Sequence, residues 1–161
     1  GFNLEMTYTP VSDLNMQLGY TLQQSRYKEP EVWSENPNIE PQTRMFRTPD
    51  HYGFMTVDYN MFDALNIALS GTYTGSMLVQ HFAGYIAEDE EVITPDFFDM
   101  GIKVAYDVKL SNNSTMQFNA GIKNIFNSYQ EDLDQGADRD AGYIYGPSLP
   151  RTFFFGLKLG L

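Results

Sequence analysis

Arg151-Thr-Phe-Phe-Phe-Gly-Leu-Lys-Leu-Gly-Leu161, the last stretch of the chain, decides the fold. Its alternate residues are large and apolar: Phe153, Phe155, Leu157, Leu159 and Leu161. A period of two predicts a β-strand with one apolar face. On a soluble sheet such an edge strand invites aggregation, whereas a barrel closed in lipid pairs the strand and turns its apolar face toward acyl chains. The segment therefore favours a transmembrane barrel.

Six further segments alternate in the same way, so the sequence predicts seven strands. They are 2–9, 14–23, 53–59, 65–73, 98–108 and 116–123. The apolar faces carry no charge, and the opposite faces hold Glu5, Asp58, Asp99, Lys103, Asp107, Lys123 and Lys158. A water-filled lumen accepts such charges. A β-sandwich with one wet face shows the same alternation, so periodicity alone leaves both architectures open.

The connections between the predicted strands favour the barrel. Three are tight turns, at 10–13, 60–64 and 111–114, whereas those at 29–50, 76–96 and 128–150 each exceed twenty residues. We expect the long connections to lack regular structure, which is unusual in a compact soluble domain. Short turns at one end and long loops at the other are typical of outer-membrane barrels.

Aromatic residues recur on the apolar faces at both ends of the strands. Those beside the short turns are Tyr8, Tyr59 and Tyr106, and those toward the long loops are Tyr20, Tyr73, Phe98 and Phe153. Rings with a polar tip suit the headgroup region of a bilayer, so we interpret these residues as two aromatic girdles.

Composition sets further limits. The net charge of −11, much of it in the long loops, argues against nucleic acid as a partner, because phosphates would be repelled. The chain has no cysteine, no leader-like segment and no apolar run long enough for a transmembrane helix. Because single-chain bacterial barrels have an even number of strands, we expect these seven to be a piece of a longer protein.

Two segments near the end of the chain resemble a known family. Gly121-Ile-Lys-Asn-Ile-Phe-Asn-Ser-Tyr129, and the stretch from Asp138 through Gly146-Pro147 and Pro150-Arg151, closely resemble the end of the TonB-dependent outer-membrane receptors of the Bacteroidetes type. In that family an Asn-Leu-Phe element, here Asn124-Ile125-Phe126, closes the penultimate strand. The terminal positions Gly156, Leu157, Leu159 and Leu161 resemble the signal read by the outer-membrane assembly machinery.

The resemblance implies a fold, a function and partners. Residues 1–161 would be the C-terminal segment of an all-β, antiparallel up-and-down transmembrane β-barrel of about 22 strands, without its plug domain and N-terminal strands. The whole receptor would take up a scarce bulky nutrient, such as a ferric siderophore, cobalamin or a glycan, across the outer membrane of a Gram-negative bacterium. Its partners would be outer-membrane lipid, the TonB complex through the missing N-terminal region, the assembly machinery and the cargo.

The sequence offers few candidates for chemistry. No Ser-His-Asp arrangement accompanies His51 and His81, so we predict no catalytic residue and no enzymatic activity. Candidates for cargo contact are the loop residues Trp33, Arg44, Arg47, Tyr85, Arg139, Tyr143 and Tyr145. Aromatic rings can stack on a sugar or an aromatic siderophore, and arginines can hold an anion. Alternatively, the rings pack the loops together and the arginines pair with loop acids.

One acidic stretch has a spacing that calcium can use. Carboxylates alternate around Gly136 at Asp132, Asp134, Asp138 and Asp140. The distal bidentate Glu of an EF-hand is missing, and acidic loops are commonly just solvated. Ca²⁺ is the one cofactor that the sequence suggests.

A second function class stays open on the sequence alone. A secreted or periplasmic soluble β-sandwich could bind carbohydrate or protein through its aromatic loops, and its apolar faces would then form a core. A lipocalin-like calyx would need an eighth strand and would leave the three long loops unexplained.

Overall fold

The computed structural model describes residues 1–111 and 114–160, which form antiparallel β-sheets without a helix. Its eleven strands are β1 (Phe2–Val11), β2 (Leu14–Leu22), β3 (Arg26–Glu31), β4 (Gln42–Arg44), β5 (His51–Phe62), β6 (Leu65–Thr74), β7 (Leu78–His81), β8 (Glu90–Ile93), β9 (Phe97–Ser111), β10 (Ser114–Lys123) and β11 (Thr152–Gly160). Leu161 of the expected assembly signal, and residues 112–113 of the third tight turn, lie outside the described residues. Within the described ranges, no helix is long and apolar enough to cross a membrane.

Seven strands form one large sheet in the order β1-β2-β5-β6-β9-β10-β11. These are the seven strands that the sequence predicts, and neighbouring strands of the sheet are antiparallel throughout. The prediction of an antiparallel all-β fold is therefore confirmed. Tight turns follow β1 and β5, and β10 begins three residues after the end of β9, whereas long connections at 23–50, 75–96 and 124–151 follow β2, β6 and β10. Short and long connections therefore alternate between the two ends of the sheet.

The register places all the predicted apolar faces on one side of the sheet. Leu18 lies opposite Met6 and Met55, and further across the sheet Phe118 lies opposite Tyr106 and Leu157. A slip of one residue in any pair would move a whole strand's apolar set to the other side. The seven strands therefore share one continuous apolar face and one polar face.

The apolar face is open. Its side chains are exposed or half-buried throughout, and at the two edges Phe2 is 60% and Phe155 is 73% exposed. The other sheets in the described ranges are two-stranded pairs, β3-β4 and β7-β8, and the strands of each pair contact mainly each other and not the large sheet. Residues 1–111 and 114–160 thus do not form the core that the β-sandwich alternative requires.

Two aromatic residues on the polar face lie over glycines of the neighbouring strand. Phe54 pairs with Gly19, and Phe154 pairs with Gly121. A Cβ at Gly121 would lie 2.5 Å from Cζ of Phe154 and still closer to the carbonyl oxygen of Ile102. The glycine lets the large ring lie flat on the sheet, an arrangement that also pins the strand register.

Two details of the connections differ from the sequence-based expectation. The first two long connections contain the short strand pairs β3-β4 and β7-β8, so the expectation that they lack regular structure was wrong. The β7-β8 pair is stabilised by burial, since Leu78 and Val79 of β7 are buried within the loops and Val92 of β8 packs against the same core. The turns after β1 and β5 are also shorter than predicted. β1 continues past Pro10 through a register irregularity, which is a position where a sheet tolerates proline.

Candidate functional site

The three long connections pack against one another at one end of the large sheet. We call residues 23–50 loop A, residues 75–96 loop B and residues 124–151 loop C. Met77 and Val79 of loop B form a small hydrophobic core with Tyr143 of loop C, and Val92 and Tyr145 pack against it. Val79 is fully buried. The loops therefore have an interior of their own, separate from the open face of the sheet.

A buried histidine joins loops B and C. The His81 ring stacks on that of Tyr143, with centroids 3.6 Å apart and planes within 5°. Its Nε2 lies 2.9 Å from Oδ2 of Asp134, and its Nδ1 lies 3.5 Å from Oε1 of Glu90. The Asp134 carboxylate is also buried and accepts the backbone N–H of Asp140 at 2.9 Å. His81, to which the sequence assigned no role, thus forms part of the contact between loops B and C.

A carboxylate in loop C holds two tyrosines. Asp132 accepts hydrogen bonds from the hydroxyl groups of Tyr145 at 2.6 Å and Tyr143 at 3.0 Å. Partial burial alone would raise the pKa of Asp132, but these two hydrogen bonds, together with those from Gln130 and a backbone group, outweigh it and hold that pKa below its usual range. Burial, followed by the bond to Asp132, raises the pKa of both tyrosine hydroxyls. Both phenols therefore stay neutral at any physiological pH.

The three candidate arginines are engaged by groups of the loops themselves. Arg44 pairs with Asp50 at 3.1 Å within loop A. Arg139 donates to the carbonyl oxygen of Gly136 at 2.8 Å within loop C. Arg47 reaches from loop A to loop C, where Nη1 donates to the carbonyl oxygen of Ile144 at 3.1 Å and Nη2 to that of Gly142 at 2.6 Å. The expected partners were loop acids, which holds for Arg44 alone.

The candidate aromatic residues divide into packed and exposed groups. Trp33 meets Phe46 and Phe82 edge-on, with centroids 5.8 and 5.3 Å away, and its Nε1 donates to Glu91 of loop B at 2.9 Å. Tyr143 is buried, Tyr145 is half-buried, and Tyr85 is 57% exposed. Packing between loops thus occupies most of these rings, and Tyr85 is the one most open to a ligand. Contact with cargo stays a prediction for the whole set.

The proposed calcium ligands are spread over separate contacts. Asp132 accepts from two tyrosines and Asp134 pairs with His81, as described above, while Asp140 accepts the backbone N–H groups of Phe82 and Gly142 at 3.1 and 2.7 Å. Across residues 1–111 and 114–160, no group of three or more His, Cys, Asp or Glu side chains is placed to hold a metal ion. Calcium binding at Asp132, Asp134, Asp138 and Asp140 stays a prediction.

An acidic cleft of about 710 Å³ separates loops A and B. Its lining includes Ile39, Glu40, Gln42, Ile86 and the run of four acids at 88–91. Several of these acids accept hydrogen bonds across the cleft from loop A, among them Glu91 from Gln42 at 2.7 Å. The hydrogen bonds from Ser34 and from the Ala83 N–H lower the pKa of Asp89. Carboxylates of loop B therefore hold the two loops together through neutral donors of loop A.

Asn124, the first residue of the Asn-Leu-Phe-like element, organises the start of loop C. It is buried and has a positive φ of 51°. Its Oδ1 accepts the N–H of Ser128 at 2.9 Å, and its Nδ2 donates to the carbonyl oxygens of Ser128 and Leu149, both at 3.0 Å. Two residues on, Phe126 stacks on Phe98 at 5.6 Å. The element thus ties both ends of loop C to the end of β10.

The large sheet thus combines one open apolar face with short connections at one end and interlocked long loops at the other. The crystal structure of a mutant of the ferric enterobactin receptor (PfeA) from Pseudomonas aeruginosa has a similar fold, with a TM-score of 0.59 and 17% sequence identity. The match covers 98% of this chain and 21% of the receptor chain, so this chain spans about a fifth of that receptor's length. No family model matches the sequence, and no curated protein matches it.

Proposed function

We propose that residues 1–161 are the C-terminal part of the barrel wall of a TonB-dependent outer-membrane receptor of the Bacteroidetes type. The observation that carries this proposal is the continuous apolar face, which the register extends over all seven strands and which remains uncovered within the described part of the chain. The fold similarity to a ferric enterobactin receptor and the sequence resemblance of the last forty or so residues support the same class.

The two faces of the sheet suit the two environments of a barrel wall. Moving a large apolar side chain out of water contributes about 1.5–3 kcal/mol, so acyl chains stabilise a face that water would destabilise. The opposite face carries charged and amide groups that bond to one another across strands, as Gln117 does to Asp107 at 3.0 Å and Asn66 to Asp58 at 3.0 Å. Such a face suits a water-filled or plugged lumen.

The proposed orientation follows from the connections. Short turns face the periplasm and long loops face the outside in outer-membrane barrels. Loops A, B and C would then form part of the outer surface that meets the cargo, with Tyr85 and Arg139 exposed there. The remaining strands, the plug and the segment that contacts the TonB complex belong to the rest of the protein. Among scarce bulky nutrients, the ligand of the similar receptor supports a ferric siderophore over cobalamin or a glycan.

Membrane fractionation of the native organism tests the proposal. An antibody against the loop around Asp134 should detect a band in the outer membrane, with inner-membrane and periplasmic marker proteins as fraction controls. The expected mass is roughly 90 kDa, about five times the 18.4 kDa of a chain that covers 21% of the similar receptor. A band at 18.4 kDa in the soluble fraction would contradict the proposal.

Transport is a separate question from location. A strain without the gene should lose energy-dependent uptake of a radiolabelled ferric siderophore, and a strain without TonB should still bind that siderophore at the surface but not import it. Unchanged uptake in both strains would assign the receptor another cargo while leaving its location intact.

A further inference from the structure

Two apolar hollows lie side by side on the apolar face. One, of about 160 Å³, is lined by residues that include Tyr20, Gly53, Gly71, Tyr73 and Phe98. The other, of about 140 Å³, lies nearer the short turns and is lined by residues that include Met6, Tyr8, Met16 and Val57. Leu18 and Met55 line both. The two hollows adjoin at the Leu18–Met55 pair, and we call them together the groove, which extends along β2 and β5 for roughly 13 Å between Tyr20 and Met16 at about 3.3 Å per residue.

Two glycines create the loop-end part of this groove. Gly53 lies between Tyr20 and Tyr73 in the register, and Gly71 lies between Met55 and Met100. A Cβ added at Gly53 would lie 2.9 Å from Cδ2 of Tyr20, and one added at Gly71 would lie 2.9 Å from Cγ of Met55. The side chains of Tyr20 and Met55 thus lean over the glycines, whose backbone forms the floor beneath them.

Polar side chains stand at the loop end of the groove. His51 occupies the first position of β5 and shares the apolar face with Gly53, since it pairs with Leu22. Its ring stacks on Tyr73 with centroids 5.4 Å apart, and its Nδ1 lies 3.4 Å from the hydroxyl of Tyr20. The hydroxyl of Tyr73 donates to Asp96 at 2.8 Å. The groove is therefore apolar along its length and polar at one end.

This chemistry selects the occupant. A peptide laid in the groove would leave backbone N–H and C=O groups without partners, which is costly in an apolar setting. A hydrocarbon chain has no such groups and gains from every contact. An amphiphile with one polar end matches both the apolar length and the His51 end.

We propose that this groove binds one acyl chain of a lipid of the outer leaflet, with the lipid headgroup at His51 and Tyr20. The inference rests on the proposed function, which places the apolar face in the bilayer and the loop end at the outer surface. It goes further by assigning a defined lipid site to a face that otherwise meets only bulk lipid.

Lipid retention by the purified full-length receptor tests the proposal. The receptor is extracted from outer membranes in a mild detergent, and bound lipid is counted by native mass spectrometry and identified after solvent extraction. Gly71→Leu fills the groove, whereas Ala120→Leu adds the same side chain to the same face away from it, opposite Val104 and Phe155. His51→Ala removes the polar end and leaves the groove open.

We expect wild type and A120L to retain one lipid per receptor, G71L to retain about tenfold less, and H51A to fall between them, because each variant removes a different part of the site. Lipid retention in G71L and H51A equal to that of wild type would overturn the site. Wild-type receptor whose groove holds only detergent, or a second copy of the receptor, would overturn it as well. Heat-dependent gel mobility checks that each variant is folded. A folded outer-membrane receptor without bound lipid overturns the groove alone, whereas a soluble chain overturns the proposed function too.

Discussion

Replacing Asn124 with alanine should raise the local opening equilibrium of loop C far more than replacing Asn127, three residues further on, with alanine. The side chain makes three hydrogen bonds in a buried position, and the backbone has φ 51°. Each lost bond costs about 1 kcal/mol, with more for the groups left unpaired, and alanine at a positive φ adds about 1 kcal/mol. The total of about 4 kcal/mol corresponds to about 1,000-fold in the local opening equilibrium.

Asn127→Ala is the matched control. Asn127 has nearly the same backbone, with φ 56°, but it is exposed, and its side chain accepts a single hydrogen bond, from the Arg151 N–H at 2.9 Å. The same bookkeeping gives about 2 kcal/mol, or about 30-fold. Hydrogen exchange of peptides from 124–151 in the full-length receptor measures both. Equal loss of protection in N124A and N127A would refute the reasoning, because the backbone strain is common to the two.

Three further predictions concern the sheet and the contacts between loops. Gly121→Ala should lower the folded fraction of the receptor, at a cost of about 1–3 kcal/mol, because the new Cβ would meet a carbonyl oxygen and an aromatic ring. Gly101→Ala is the control and should be tolerated, because the nearest atom to its new Cβ would be 3.3 Å away. Gel mobility with and without heating measures the folded fraction, and equal folded fractions in the two variants would contradict the prediction. Arg47→Ala should raise hydrogen exchange in loop C, because it removes two hydrogen bonds between loops A and C. Arg44→Ala should raise exchange in loop A alone, because its ion pair with Asp50 lies within that loop. Equal exchange profiles for the two variants would contradict these roles of the arginines. The pKa of Asp132 is lowered in the folded state, so the stabilisation of loop C by this carboxylate is fully present above the ordinary carboxyl pKa of about 3.9 and is lost as pH falls through the lower folded value. Asp132→Asn should remove this part of the acid dependence of hydrogen exchange in loop C. A pH profile of exchange that is the same in wild type and variant would contradict the prediction.

The strands of the large sheet follow from local pattern, which is why the sequence alone predicts them well. Each has a period of two, and a single side-chain alternation fixes both the face and the register. The same alternation puts Phe154 on the polar face, but how that face accepts a large ring becomes clear only when the register sets Phe154 over Gly121. The Asn124 element is recognisable from sequence, but its role depends on Leu149, distant along the chain.

The loops depend on contacts that no local pattern encodes. The short strands β7 and β8 carry apolar β-branched residues, Val79 and Val92, which is a weak signal for strands of four residues. Their stability depends on Tyr143, which lies 64 residues after Val79 and 51 residues after Val92. For the same reason the sequence identifies Tyr143 as a loop aromatic residue without showing whether it faces a ligand or a neighbouring loop.

The central claim is that the apolar face of the sheet meets lipid, and spin-label accessibility along β6 tests it most directly. Single cysteines are introduced one at a time at positions 65–74 of the full-length receptor in bilayers, and each label is exposed to oxygen, which partitions into lipid, and to a water-soluble nickel chelate. We predict a period of two, with positions 65, 67, 69, 71 and 73 accessible to oxygen and the positions between them accessible to the chelate or to neither. Odd positions shielded from both reagents would show a protein core on that face and contradict the account.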